Sequence, residues 1–451
     1  MPEIGLASNT NINRRDKLSF AAEALAGLAK LYLADNRPWV VAYSGGKDST
    51  AVLQLTFNML RTLGNQANKP VFIMTSDTRL EVPNVSDYVT LSLKKIDESA
   101  KALNLPLSIR LVQPLPEESF WGKLIGKGYP PPSIWFRWCT SNMKIKPSRR
   151  EIDDLTKTCG SVILLLGTRI SESAQRGRAM QAREGNSRGL NPHHEIPNAL
   201  VATPIASWTT DNVWEYLANS DCPWGIDHSY MFSLYKQAGG DECPFVVDLN
   251  MPPCGNSRFG CWTCTVVKKD KSLQGFINSG EEYLQPLVDF RNWLIELRDK
   301  PGYRSGIKRN GTAGPGPFLP DARQEILERL LSIEKQTGLS LVNESELIYI
   351  QMEWAKEFDF QNRLAIEIAL RYGRNFSMIE VKPNSILPED ELVEQAALEN
   401  DIDPDLLRKL LDIRRRDYPS LDKWGAKSAF EKSVGNLVEK AARQVEQAIK
   451  T

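Results

Sequence analysis

Trp39-Val40-Val41-Ala42-Tyr43 is an almost unbroken apolar run that stops at a glycine pair inside Ser44-Gly45-Gly46-Lys47-Asp48-Ser49. Apolar residues without polar alternation suit a strand buried on both faces of a parallel sheet. Beyond the glycines, Val52, Leu55, Met59 and Leu63 recur at helical spacing, which predicts a helix with one apolar stripe. Strand, tight turn and helix in direct succession commit the chain to βα units, because parallel strands need crossover connections. Val71–Met74, Leu107–Val112 and Ser161–Leu166 are the next strand candidates, and helical patterns separate them. The fold class that follows is α/β, a doubly wound parallel sheet. Ligands of such sheets collect beyond the carboxyl ends of the strands. Three polar segments stand there: Ser44 to Ser49, Ser76-Asp77-Thr78, and Gly167-Thr168-Arg169.

Ser19 to Ala34 reads as an amphipathic helix, and Arg176 to Pro197, rich in Arg, Gly, Asn and Ser, as a mobile loop. From about Ser272 the strand signal fades, and helical patterns cover Asp321 to Lys335, Ser345 to Tyr372 and Ser428 to Lys450. With 451 residues, more than one core usually supports, two domains are expected: 1–270, and a mainly helical 271–451. Basic and acidic residues balance at 56 each, so no global field draws the chain to a polyanion and any nucleic-acid contact has to be local. No stretch reaches the roughly 18 to 20 apolar residues of a membrane span, and Met1 to Thr10 lacks signal-peptide features. A cytoplasmic protein with no membrane partner is expected. Seven cysteines, unevenly placed, then point to metal or catalytic chemistry rather than disulfides.

A glycine pair after a buried strand lets the backbone turn sharply, so that successive N–H groups can point at one anion while the next helix adds its N-terminal dipole. Lys47 supplies a full positive charge, Ser44 and Ser49 supply hydroxyls, and Asp48 suits a Mg²⁺ bridging phosphates. A merely structural turn capped by Asp48 or Ser49 would need the glycines but not the lysine. Lys47 and Asp48 are expected to face a polar loop beyond the sheet, outside the core packing. Farther on, Arg169 and Arg176 are candidates for bidentate phosphate contacts and Ser173 for a hydroxyl contact. The competing reading pairs these arginines on the surface with Glu172, Glu184 or Glu195. Trp208 and Trp214 read as core residues.

Cys254-x6-Cys261-x2-Cys264 gathers three thiols beside Gly255 and Gly260, a pattern that selects Zn²⁺ or an iron-sulfur cluster without separating the two. A fourth ligand is needed, and His193, His194 and His228 all lie outside the segment. Cys139, in a basic, polar segment, is the best candidate; Cys222 and Cys243 are weaker ones, and Cys159 reads as an inert core thiol.

The glycine loop lacks the G-x-x-x-x-G-K-[ST] pattern and instead resembles the S-G-G-x-D-S signature of the PP-loop ATP pyrophosphatases, the adenine nucleotide alpha hydrolase-like group that includes phosphoadenylyl-sulfate reductases and tRNA thiolation enzymes. Asp77-Thr78 with Glu81 and Pro83, Gly167-Thr168-Arg169 through Glu172, Ser173 and Arg176, and Pro204-Ile205 with Trp208, Asp211, Val213 and Trp214 are similar to further motifs of that group; the spacing from Trp208 to Asp211 is one residue short. The resemblance implies ATP as substrate, bound by Ser44, Gly45, Gly46, Lys47, Asp48, Ser49, Asp77, Thr78, Gly167, Arg169, Ser173 and Arg176. It also implies Mg²⁺, and Lys47, Asp48 and Arg169 as the catalytic residues. Trp138-Cys139-Thr140 with Lys144-x-Lys146-Pro147, the run from Cys254 to Val267, and Arg309-Asn310-Gly311 with Gly314-Pro315-Gly316-Pro317-Phe318 narrow the resemblance to the Dnd-type DNA phosphorothioation sulfurtransferases. That narrower likeness implies a [4Fe-4S] cluster on Cys139, Cys254, Cys261 and Cys264, with a cysteine desulfurase, other Dnd proteins and DNA as partners.

For DNA the residues speak only locally. Arg137 to Arg150 holds five basic residues and no acidic one, next to Cys139. Arg176, Arg178, Arg183 and Arg188 form a looser group, and Lys268, Lys269 and Lys271 a third. A sulfonucleotide reductase or tRNA-thiolating enzyme is the alternative within the class, although the last cysteine is Cys264 and no C-terminal cysteine tail follows. A non-catalytic nucleotide-sensing subunit is the alternative outside it.

Overall fold

Every residue of strand β1 (Trp39–Ala42) is buried, as an apolar run without alternation requires. The computed structural model describes residues 18–172, 190–193, 196–238, 260–359, 361–376, 393–394, 397–398 and 402–417. The predicted helices over 428–450 and most of the segment 176–197 lie outside them.

The chain divides into two compact units, the first made of Met1–Pro114 and Ile134–Leu284, the second of Leu115–Ser133 and Gln285–Thr451. In the first, α1 (Ser19–Leu33) precedes β1, which is followed by α2 (Lys47–Leu63), β2 (Val71–Ser76), α3 (Pro83–Ala102), β3 (Leu107–Val112), α4 (Lys146–Cys159) and β4 (Val162–Leu165). Then come β5 (Asn191–Pro192), β6 (Ala199–Ala202), α5 (Thr210–Asn219), α6 (Ser229–Ala238) and α7 (Lys271–Asn278). The sheet order is β3-β2-β1-β4-β6-β5, parallel throughout except the β5–β6 pair. From β1 the order runs through β2 to β3 on one side and starts again with β4 on the other. The crevice between β1 and β4 is therefore the topological switch point at which ligands of such sheets bind. Beneath it, Val40, Ala42, Met74, Ile152, Val162 and Leu164 pack into one core cluster.

Helix α2 departs from its predicted single stripe: every residue from Lys47 to Phe57 is buried. It packs between β1, α1 and α5, so its polar residues need internal partners. The Thr50 and Thr56 hydroxyls donate to the carbonyls of Gly46 and Val52, and Gln54 Oε1 lies 2.9 Å from His228 Nε2. Strands β5 and β6 had no counterpart among the four sequence candidates; Ala199–Ala202 is short and follows a polar segment without clear periodicity.

The second unit is helical among its described residues: α8 (Gln285–Asp299), α9 (Pro320–Thr337), α10 (Glu344–Glu357), α11 (Leu364–Arg371) and α12 (Pro404–Asp417). A cut at 270 would have placed 115–133 with the first domain. The segment belongs to the second because Trp121 Nε1 donates to Leu341 O at 2.7 Å and Trp354 Nε1 to Ile125 O at 2.9 Å. The single helix expected over 345–372 is two. The Asp359 carboxylate accepts the Arg363 and Leu364 amides at 2.9 and 2.8 Å, capping α11, and Asn362 turns the chain at φ 55°. No helix among the described residues is long and apolar enough to cross a membrane.

Arg323 ties this unit together. Fully buried, it donates to the Ile125 carbonyl at 2.8 Å, to the Gly126 carbonyl and to the Glu357 carboxylate. Removing one member of a buried charge pair costs about 3–5 kcal/mol. Arg323→Leu is expected to lower the unfolding free energy of the intact chain by that much, taken from its denaturant transition followed by circular dichroism; an unchanged free energy would show that Arg323 is dispensable.

Candidate functional site

The turn after β1 is built as the sequence requires. Gly45 has φ +74°, and a Cβ there would meet Val89 Cγ2 at 2.4 Å, so only glycine fits. Gly46 caps α2 with its carbonyl, which accepts the Thr50 amide and the Ser49 hydroxyl, each at 2.9 Å. With its proton on Gly46, Ser49 Oγ accepts the Ser44 amide at 3.2 Å and the Ser44 hydroxyl at 3.1 Å. Ser44 to Ser49 thus folds around the N-terminus of α2, where the helix dipole favours an anion.

Lys47 and Asp48 are not exposed loop side chains. Lys47 is 0% and Asp48 7% exposed, because the first turn of α2 is enclosed by the neighbouring elements. Lys47 Nζ lies 2.7 Å from Asp48 Oδ2, and Arg169 Nε lies 2.6 Å from Asp48 Oδ1. Arg169, after β4, is 1% exposed and also donates to the Ser171 and Thr210 hydroxyls at 3.0 and 3.2 Å. The arginine is therefore not a surface residue as the competing reading held; among the described residues its counter-ion is the loop's own aspartate. Gly167 makes this possible, since a Cβ there would lie 2.8 Å from the Asp48 backbone carbonyl carbon. Among the described residues this group brings two cations and one carboxylate to the switch point.

Two aromatic residues complete this wall. The Lys47 amide donates to the Tyr235 hydroxyl at 3.0 Å, and the Lys47 ammonium lies 5.8 Å from the Trp214 ring centre. Trp208 is core, as expected, but Trp214 is half-buried and edge-packed on Tyr235 at 4.9 Å, beside the loop. Tyr235 has no sequence signal of its own; α6 brings it in from 188 positions away.

At the end of β2, Asp77 accepts the Arg79 amide and the Gln113 amide group, each at 2.8 Å. Thr78 turns the other way. Its hydroxyl donates to Glu81 at 2.7 Å and lies 3.6 Å from Cys261 Sγ. Glu81 and Cys261 form an antiparallel bridge, and the Trp262 amide donates to the Leu80 carbonyl at 2.9 Å. The thiol loop is thereby pinned to the strand next to β1. Burial first, then the neighbouring Cys264, pushes the Cys139 thiol up to about 11. Burial pushes Cys261 up to about 12; Lys144 pulls it down, whereas Glu81 and Cys264 oppose that. Cys139, Cys261 and Cys264 are thus electrostatic neighbours around Lys144. Among the described residues, no group of three or more His, Cys, Asp and Glu side chains is arranged to hold a metal ion. Cys254, Ser173 and Arg176 lie outside the described residues, as does Cys243. Cys159 is exposed at the end of α4 rather than an inert core thiol, because it precedes the strand and lies on the solvent side of the helix terminus.

Two outcomes follow from this geometry. Asp48→Asn strips two buried cations of their shared counter-ion and is expected to destabilise the fold by about 3–5 kcal/mol, whereas Lys47→Met keeps the Asp48–Arg169 pair and costs less. Denaturant midpoints of the two variants give the order, and the reverse order would refute it. In the metal-free protein at pH 8, iodoacetamide is expected to label exposed Cys159 well before Cys261, since a raised thiol pKa leaves little reactive thiolate. Time-resolved mass mapping of the adducts checks this.

An uncharacterised protein of Methanocaldococcus jannaschii is 27% identical over 294 residues, 65% of this chain and 49% of its own length, so the chain spans about half of that relative. Two solved structures are similar at low identity. The Candida glabrata FMN adenylyltransferase in complex with FMN and an ATP analogue has a TM-score of 0.29 at 12% identity, covering 74% of this chain and 86% of its own. The U34-tRNA thiolase NcsA from Methanococcus maripaludis with its [4Fe-4S] cluster has a TM-score of 0.30 at 13%, covering 62% and 80%. The phosphoadenosine phosphosulfate reductase domain matches residues 38–267, just over half of the chain, a span that includes the glycine loop, Arg169 and the thiol loop. By that match the chain belongs to the phosphoadenosine phosphosulfate reductase domain family.

Proposed function

We propose that this chain is an ATP pyrophosphatase that transfers sulfur to DNA. The observation that carries the reading is the juxtaposition of two chemistries at neighbouring strand ends: a buried Lys47–Asp48–Arg169 group after β1 and β4, and a thiol group pinned through Thr78 after β2. In the first step a non-bridging oxygen of a DNA phosphate attacks the α phosphorus of ATP, and the bond to the β-phosphate oxygen breaks. The loop at Ser44 to Ser49 receives the departing pyrophosphate, whose charge the Lys47 and Arg169 cations and the α2 dipole stabilise. In the second step, persulfide sulfur from a cysteine desulfurase displaces AMP from the adenylated phosphate, and a second thiol reduces the remaining S–S bond.

The donor set around Asp48 fits Mg²⁺ poorly, because both carboxylate oxygens are already engaged, one by Lys47 and one by Arg169. We assign Asp48 instead to holding those two cations in place, and no step is routed through a metal there. Sulfur donors beside Lys144 are of the type an iron-sulfur cluster takes, but Cys139, Cys261 and Cys264 are not arranged here to hold a metal, so Cys139, Cys254, Cys261 and Cys264 are its ligands by resemblance alone. A cluster bound there would supply a place where sulfur is held in reduced form.

The family match itself favours a second reading, sulfonucleotide reduction. Pyrophosphate release separates the two. Anaerobically purified protein with its desulfurase is expected to release pyrophosphate from ATP only when DNA is added, to contain iron and sulfide, and to lose turnover at least 100-fold in Lys47→Met, on the scale of a lost oxyanion donor. ATP-independent reduction of a sulfonucleotide, with no DNA-dependent pyrophosphate, would overturn the sulfur-transfer reading.

A further inference from the structure

Ile134-Trp135-Phe136 forms a turn tip on which Trp135 is 94% exposed, beside Ile134 at 61% and Phe136 at 44%. An indole left almost wholly in water next to two further apolar side chains costs solvation with no packing return, and such patches mark interaction sites. Two observations narrow what this one meets. The tip stands four residues before Cys139, so at no more than about 3.6 Å per residue the Cα atoms of Trp135 and Cys139 lie within about 14 Å of each other. The residues that follow, Arg137, Lys144, Lys146, Arg149 and Arg150, are basic with no acidic residue between them. Lys144 is electrostatically coupled to Cys139 and Cys261, Lys146 is exposed at the start of α4 with its ammonium 2.9 Å from Asn142 Oδ1, and Arg149 is exposed in a loose 3.6 Å pair with Asp153.

We propose that Trp135 is a stacking platform for an unpaired nucleobase of the nucleic-acid strand whose backbone follows the basic segment from Arg137 to Arg150. An aromatic face alone fits many partners. Joined to a one-signed basic run it fits a polyanion that also offers flat π-faces, which is the recurring design of single-strand binding surfaces. A protein partner would have to supply acidic residues and an indole pocket together. This inference rests on the nucleic-acid reading above and adds to it the strand state that is engaged: a single strand, a frayed end or a flipped nucleotide rather than an intact duplex, whose base faces are covered by stacking.

The test uses the intact chain and fluorescein-labelled oligothymidylate of about 12 nucleotides, the same length carrying abasic sites, and a duplex of matched length, each followed by anisotropy across a salt series. Wild type is expected to bind the oligothymidylate more tightly than the abasic strand of equal charge. Trp135→Ala should lose about 5- to 150-fold on the oligothymidylate, the range for one stacked base, and nothing on the abasic strand, while the salt slope stays unchanged because no phosphate contact is lost. Trp135→Phe should recover most of the difference. Since the side chain is almost fully exposed, thermal melts of the variants should match wild type.

Equal affinity of Trp135→Ala and wild type for oligothymidylate overturns the proposal. So does a Trp135→Ala chain that changes only its sedimentation-derived oligomeric state, which would make the patch a contact between copies. Pyrophosphate release tells this failure from failure of the underlying reading: DNA-dependent release with an idle Trp135 sinks only the platform, whereas no DNA-dependent release in wild type sinks both.

Discussion

Everything at the switch point depends on one carboxylate placed between two buried cations. Asp48 lies within 2.7 Å of Lys47 Nζ and within 2.6 Å of Arg169 Nε, and none of the three side chains reaches solvent appreciably. Charges taken out of water are stable only with close, well-directed partners, so the first turn of α2 and the segment after β4 must stay in register with each other. That register explains why a glycine is needed at 167, where any Cβ would strike the backbone of Asp48. It also gives a role to the Ser171 and Thr210 hydroxyls, which accept from Arg169 Nη1 and so help fix the plane of the guanidinium.

Much of this was legible in the chain. An apolar run ending in two glycines marks a buried strand and a tight turn, and β1, the turn and α2 follow in that order. The lysine in the turn pointed to an anion, since a purely structural turn needs none. What could not be read was depth. Lys47 and Asp48 look like exposed loop residues because sequence shows the polarity of a side chain and not what folds over it; α1 and α5 lie on α2 and close that region. Tyr235 and Trp214 escaped for the same reason, being carried to the loop by helices distant in sequence. β6 was missed because four residues of mixed exposure carry too little periodicity to stand out, and the division of the 345–372 helix turned on one aspartate acting as a cap. The thiol pattern was visible, but its attachment to Thr78 and Glu81 was not, as it rests on one backbone bridge between segments 180 residues apart.

The Thr78 link gives the second-strand motif a structural role of its own. Thr78 and Glu81 hold each other and the Cys261 segment, and Asp77 organises the turn with Arg79 and Gln113. Since β1 and β2 pair with Ala42 opposite Met74, the glycine loop and the thiol loop are set by the same hydrogen-bond ladder. A shift of either strand by one residue would turn its side chains to the opposite face and separate the two groups.

Charge couples them as well. The glycine loop and the segment after β4 together bring two cations and one carboxylate among the described residues, a balance that favours phosphate. The thiol group holds Lys144 and Glu81, while burial keeps Cys139 and Cys261 protonated near neutral pH, so before anything binds its charges are one cation and one carboxylate beside buried thiols. Once the sulfurs hold a metal centre they must shed their protons, and Lys144 becomes the counter-ion of a negative group instead of an attractor of phosphate. Under the proposed function this separates the tasks by charge. Phosphate is held by cations whose own counter-ion, Asp48, is fixed in the fold, while the charge on the sulfur side depends on what that side has bound.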